Sequence, residues 1–150
     1  MSDEIKKGLI GVVVDSTKIS KAIAEEKKLL YRGYSVAELV EKCSFEEVAY
    51  LIWNSELPNK KELAEFCKKE RSLRTLSEGT ISLLKLFPKD AHPMDTLRTA
   101  VSFMGTKEES DDALSLFAKI PIVVANTYRL QSGKDYLAPR DDLDYVENFF

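Results

Sequence analysis

Histidine, cysteine and long apolar runs are scarce in this chain, and each shortage closes off a class of function. A single histidine, His92, leaves no imidazole pair to share a metal, and the two cysteines, Cys43 and Cys67, stand far apart, outside any C-x-x-C spacing. A structural metal is therefore not expected. Both cysteines fall near the apolar faces of expected helices, where a thiol acts as a small hydrophobe rather than as a redox or disulfide group. No apolar run approaches the ~20 residues needed to cross a bilayer. The opening Met1-Ser2-Asp3-Glu4-Ile5-Lys6-Lys7 lacks the hydrophobic stretch of a signal peptide, which points to the cytosol and away from a membrane partner. Positive charge is not in excess: Lys and Arg number 22 against 25 Asp and Glu, a formal net charge of -3. Nothing in that balance collects phosphate backbones, so nucleic acid is not an expected partner. Dinucleotide, P-loop and serine-hydrolase motifs are missing as well, and no repeat, low-complexity tract or linker divides the chain.

What is present is a helical pattern. Apolar residues make up 44% and charged residues 31% of the 150 positions, the balance of a soluble folded protein, and the length suits one domain over residues 1–150. Leu9 to Val14 is β-branched and Gly-punctuated, which predicts a short β region near the amino terminus. A second extended piece is expected over Leu29 to Arg32, and Gly33 and Tyr34 turn the chain. From Ser35 the period becomes helical. Ser35 with Glu38, and Ser44 with Glu47, have the spacing of capping boxes. The second of these helices carries Phe45, Val48, Ala49, Leu51, Ile52 and Trp53, and Pro58 is placed to stop it. Asn59 is placed to cap a helix through Leu63, Phe66 and Cys67 that ends in Lys68, Lys69, Arg71 and Arg74, where positive charge suits the helix dipole.

Further helices are predicted over Leu76 to Phe87, from Pro93 to Gly105, and from about Asp112 to Gln131, with a kink at Pro121 and a stop at Gly133. Lys107 to Asp112 reads as a solvated charge run. After Pro139, Asp141 and Asp142 are placed to cap a last helix with Leu143, Val146, Phe149 and Phe150 along one stripe. That stripe has no polar end, and is expected to continue into further chain or to dock in the core. Most carboxylates fall at helix starts or in charge runs, which favours capping and solvated roles over paired acid-base chemistry. His92 lacks a visible partner and reads as a loop residue bonded to backbone beside Pro93.

Four blocks, in order, resemble the citrate synthase family: Lys7 to Asp15, Tyr31-Arg32-Gly33-Tyr34, Ser44 to Trp53 with Glu56-Leu57-Pro58, and His92-Pro93-Met94-Asp95 with Leu97-Arg98-Thr99-Ala100. Asp144 to Phe149 is similar to the family's next helix, and the opening and Ser44 blocks look most like the branch that includes 2-methylcitrate synthases. The resemblance implies the amino-terminal part of an all-α large domain with a short β region, a small domain absent from this chain, and a homodimer. It implies an acyltransferase that condenses acetyl-CoA or propionyl-CoA with oxaloacetate and releases CoA. The acyl-CoA is a substrate and no cofactor is expected. In such a reaction an aspartate takes a proton beside the thioester, one histidine bonds the developing enol and another polarises the keto acid. The family's segments for those groups do not occur here, so no catalytic residue is assigned and His92 matches only the family's H-P-M turn. Substrate binding, if any residue here reaches the keto acid, is expected at Lys69 or Arg74. The alternative is a truncated, non-catalytic helical module that docks on a homologue.

Overall fold

The computed structural model describes residue 8, residues 11–105 and residues 113–150. Although the sequence shows no linker, the chain divides into two compact units, Met1–Leu57 and Pro58–Phe150. Helices dominate the second unit, as expected, while the first sets two helices beside a small sheet.

The first unit holds β1 (Ser20–Ile23), β2 (Lys28–Tyr31) and β3 (Tyr34–Ser35), antiparallel in the order β1-β2-β3. The strand expected at Leu9 to Val14 is not where the β region lies: Val12 to Val14 carry no strand and are exposed, and Leu9 and Ile10 lie outside the described residues. A β-branched run becomes a strand only with a partner. Here β2 is paired by Ser20–Ile23, in a register that runs from Ser20 opposite Tyr31 to Ile23 opposite Lys28 and extends to an Arg32 N–H bond onto the Ile19 carbonyl at 2.8 Å. Between β2 and β3 the chain reverses over two residues, Arg32 and Gly33, at φ 48° and 92°. Positive φ at both positions is what a type I′ hairpin turn requires. Glycine adopts it freely, and the arginine is tied down: its Nε and Nη2 donate to the Ile52 carbonyl at 3.1 and 2.7 Å.

α1 (Val36–Lys42) and α2 (Phe45–Asn54) follow. Ser44 and Glu47 form the expected capping box. Ser35 does not: its hydroxyl makes no cap bond, and the residue doubles as the last paired position of β3, opposite Leu30. α2 also stops before Pro58, because Ser55 turns left-handed at φ 75° and donates its N–H to the Leu51 carbonyl. Leu39 and Leu51 are buried.

The second unit contains α3 (Lys60–Ser72), α4 (Glu78–Leu86), α5 (Pro93–Met104), α6 (Ala113–Gln131) and α7 (Tyr145–Phe149). Asn59 caps α3 with Glu62 in return, and Ser77 caps α4. Leu76, Leu84, Ala100, Met104, Ile122 and Val123 form the buried core, with Ile81, Leu97 and Val101 packed on it. α6 is central: α3, α4, α5 and α7 all pack against it. It runs through Pro121 without a break. After it Gly133, at φ 75°, closes the helix with an N–H bond to the Leu130 carbonyl while Lys134 bonds that of Arg129. The charge run at 107–112 lies outside the described residues. The last helix begins later than expected, because Asp144, not Asp141 or Asp142, is its cap, in a capping box with Glu147.

Candidate functional site

Residues 134–144 form no helix or strand, so their backbone groups need partners from elsewhere. Side chains from α6, from α7 and from the end of α3 and just beyond it supply several of them. Asn126 on α6 brackets one residue of this strap, accepting from the Leu137 N–H at 2.7 Å and donating to its carbonyl at 3.0 Å, while also donating to the Ile122 carbonyl. At the carboxyl end of α3, Arg71 Nη1 donates to the Asp141 carbonyl at 3.1 Å. Arg74 Nη1 donates to the Arg140 and Leu143 carbonyls at 3.0 and 2.9 Å. The other edge of the Arg74 guanidinium meets Glu70, one turn earlier, through Nε to Oε1 and Nη2 to Oε2, both at 2.8 Å. Both side chains are 1% exposed, and this fork-to-carboxylate match is the geometry that makes burial of the pair tolerable.

The basic cluster at the end of α3 is therefore divided. Arg71 and Arg74 hold the strap, and Arg74 lends its donors to protein oxygens rather than presenting them to solvent. Lys68 and Lys69 stay exposed. An open cleft of about 580 Å³ lies beside them, lined by Ala64, Cys67, Lys68, Arg71, Ser72 and Asp141.

A deeper cleft of about 530 Å³ runs between α6, the strap and α7. Ile122, Ala125, Leu137, Pro139, Leu143 and Phe149 line much of it. Several of the polar groups at its rim hold its walls. Arg129 Nε donates to the Asp135 carbonyl at 3.0 Å, and the Glu147 carboxylate accepts the Asp144 N–H. Arg140 bonds Asp142 through Nε at 3.0 Å, and its N–H is accepted by Asn148 Oδ1 at 2.8 Å. The Arg140–Asp142 hydrogen bond, reinforced by the opposite charges, holds the Arg140 guanidinium above its ordinary range, and the same bond keeps the Asp142 carboxyl below its own. What the cleft offers is shape and apolar surface, not an acid-base pair.

The remaining candidates resolve into local roles. His92 is the cap of α5, its Nδ1 accepting the Met94 N–H at 3.2 Å, with Pro93 in the first turn. Burial, then the Glu47 carboxylate, pushes the Cys43 thiol up, which keeps it protonated and a poor nucleophile. Burial, then Glu78, likewise raises the Tyr136 hydroxyl. Among the described residues no group of three or more His, Cys, Asp or Glu gathers as metal ligands would, and no helix is long and apolar enough to cross a membrane. Sequence reasoning missed Asn126; the available signal was an amide four residues after Ile122, on the same face of the helix as that core position.

Comparison with known proteins places these features in a family. The family model described as "Citrate synthase, C-terminal domain" matches residues 8–150. The chain is 46% identical to 2-methylcitrate synthase 2 of Corynebacterium glutamicum over 155 aligned residues, covering 97% of this chain and 40% of that protein. It is 42% identical to a citrate synthase of Mycolicibacterium smegmatis, covering 97% of this chain and 41% of that one. The crystal structure of citrate synthase from Thermotoga maritima MSB8 superposes with a TM-score of 0.88 at 37% identity, over 97% of this chain and 40% of that one. The chain thus spans about two fifths of the length of the relatives it matches.

Proposed function

Since the chain belongs to the citrate synthase family, we propose that it is the amino-terminal part of an acyltransferase that condenses acetyl-CoA or propionyl-CoA with oxaloacetate and releases CoA. The observation that carries this reading is the 46% identity over 97% of the chain to a relative named 2-methylcitrate synthase. The complete enzyme works in the cytosol as a homodimer and uses no metal or prosthetic group, because proton removal beside a thioester needs only a positioned base and a hydrogen-bond donor to the enol.

Within that enzyme these 150 residues build scaffold. The groups that would remove the proton and polarise the keto acid are assigned to segments outside them, and no catalytic residue is placed here. Arg74, with its guanidinium donating to Glu70, Arg140 and Leu143, is assigned to holding the strap. Lys69, exposed at the end of α3, is the one of the two sequence candidates whose ammonium a substrate carboxylate can approach.

The test is CoA release, read as free thiol, with oxaloacetate and each acyl-CoA, by the complete reading frame and by the 150-residue chain side by side. Activity in the complete protein alone supports the proposal. Activity in the short chain would place catalytic groups among residues assigned here to structure, His92 first. Inactivity of both would leave the helical docking module as the better reading.

A further inference from the structure

Pro121 lies inside a 19-residue helix and has no N–H to give. The carbonyl that an N–H at position 121 would serve in an α-helix is that of Phe117, four residues earlier. A carbonyl deprived in this way needs another donor. The structure supplies one from a different element: the Tyr145 hydroxyl, at the first position of α7, donates to the Phe117 carbonyl at 2.9 Å. The two rings stack as well, with centroids 4.4 Å apart and planes at 19°. The helix defect and the docking of α7 thus meet at one atom.

We propose that Pro121 and Tyr145 form a latch: the proline opens a carbonyl on α6, and the tyrosine closes α7 onto it. The latch governs one wall of the apolar cleft, since α7 and the end of the strap bound the cleft on the side away from α6. The strap's fastenings to α6 and to the end of α3, Asn126 on Leu137 and Arg74 on Arg140 and Leu143, lie before Tyr145 in the chain, and α7 is tied back to the strap where Asn148 Oδ1 accepts the Arg140 N–H. When the tyrosine lets go, α7 loosens from α6 while Asn148 keeps it tied to the strap at Arg140, and the core of α4, α5 and α6 stays folded. A segment held by few anchors opens locally at lower free energy than the whole fold.

The test is hydrogen exchange on the complete protein, as a double-mutant cycle between Tyr145→Phe and Pro121→Ala. Tyr145→Phe keeps the ring and removes only the hydroxyl. It is expected to speed exchange of the Glu147, Asn148 and Phe150 amides, which are bonded within the α7 cap and turn, by roughly ten-fold, the scale of one partner lost from a partly buried acceptor. In the Pro121→Ala background the new N–H serves the Phe117 carbonyl, so the same Tyr145→Phe change is expected to speed exchange by less than about three-fold. Amides of α5 should be unchanged throughout. An equal effect in both backgrounds would show that the hydroxyl acts elsewhere. No effect in either, or faster exchange spreading into α5, would overturn the latch.

Discussion

A guanidinium withdrawn from water must be matched along its whole edge, and Arg74 is matched by a carboxylate on one side and two strap carbonyls on the other. Arg74→Ala would leave the Glu70 carboxylate buried and unpaired, so urea denaturation should show a loss of about 3–5 kcal/mol. Replacing the pair together, with Glu70→Leu and Arg74→Met, leaves no orphan charge and should cost less than the single change; a double variant that is no more stable would mean the strap contacts, not the ion pair, dominate. Arg140 and Asp142 form a contrasting pair, both well exposed. Asp142 titrates below its ordinary range because Arg140 bonds its ionised form. Its contribution is therefore complete above the ordinary aspartate value near ~3.9 and lost as pH falls through the lowered one. Solvent screens such a pair, so the readout is NMR titration rather than melting: Arg140→Gln should move the Asp142 midpoint upward, and an unmoved midpoint would refute the pairing. The sequence displayed a basic helix end but not its use. The partnership of Glu70 with Arg74, four residues on, was missed although the spacing is local, whereas the Arg140 carbonyl that completes the site arrives 66 positions later, and nothing in a periodicity pattern reports where an irregular segment returns.

Helix starts give a cleaner comparison, because the same Ser-x-x-Glu spacing occurs twice and forms a capping box once. At Ser44 the hydroxyl accepts the Glu47 N–H at 3.2 Å and the Glu47 carboxylate accepts the Ser44 N–H at 2.7 Å. At Ser35 no such bond forms, since β3 runs directly into α1. Ser44→Ala should therefore cost about 1 kcal/mol and Ser35→Ala less than about 0.5 kcal/mol, measured as shifts in denaturation midpoint at constant slope. Equal losses would mean that the first motif caps its helix after all. Motif spacing reads what a helix start is able to do; the preceding element decides whether the serine is available. The same limit explains the amino-terminal strand. Val12 to Val14 have the composition of a strand and Ser20–Ile23 does not, yet the latter pairs with β2, because hairpin closure depends on the turn and the register rather than on the propensity of one segment. Long amphipathic helices, α3 through α6, were legible throughout because their apolar spacing is itself the reason they pack.

For the whole molecule, the informative division is between what builds the fold and what selects the substrate. Relatives named for citrate and for 2-methylcitrate both match nearly all of this chain, so under the proposed function residues that decide between acetyl-CoA and propionyl-CoA need not lie within it. The scaffold roles found for Asn126, Arg74 and Tyr145 agree: each serves a backbone carbonyl or N–H of another element. Discrimination of a methylene by a pocket is worth about 1–3 kcal/mol, or roughly 10- to 200-fold in kcat/KM, large enough to follow from one chimera to another. Exchanging residues 8–150 of the complete enzyme for the matching segment of the M. smegmatis citrate synthase should therefore leave the ratio of kcat/KM for propionyl-CoA over acetyl-CoA within about three-fold of its starting value, a small part of that range. Retained CoA release in the chimera shows that the exchanged scaffold has folded. A ratio that moves ten-fold or more toward acetyl-CoA would place a specificity-determining side chain inside this segment, and the cleft walled by α6, the strap and α7 would be the first place to look for it.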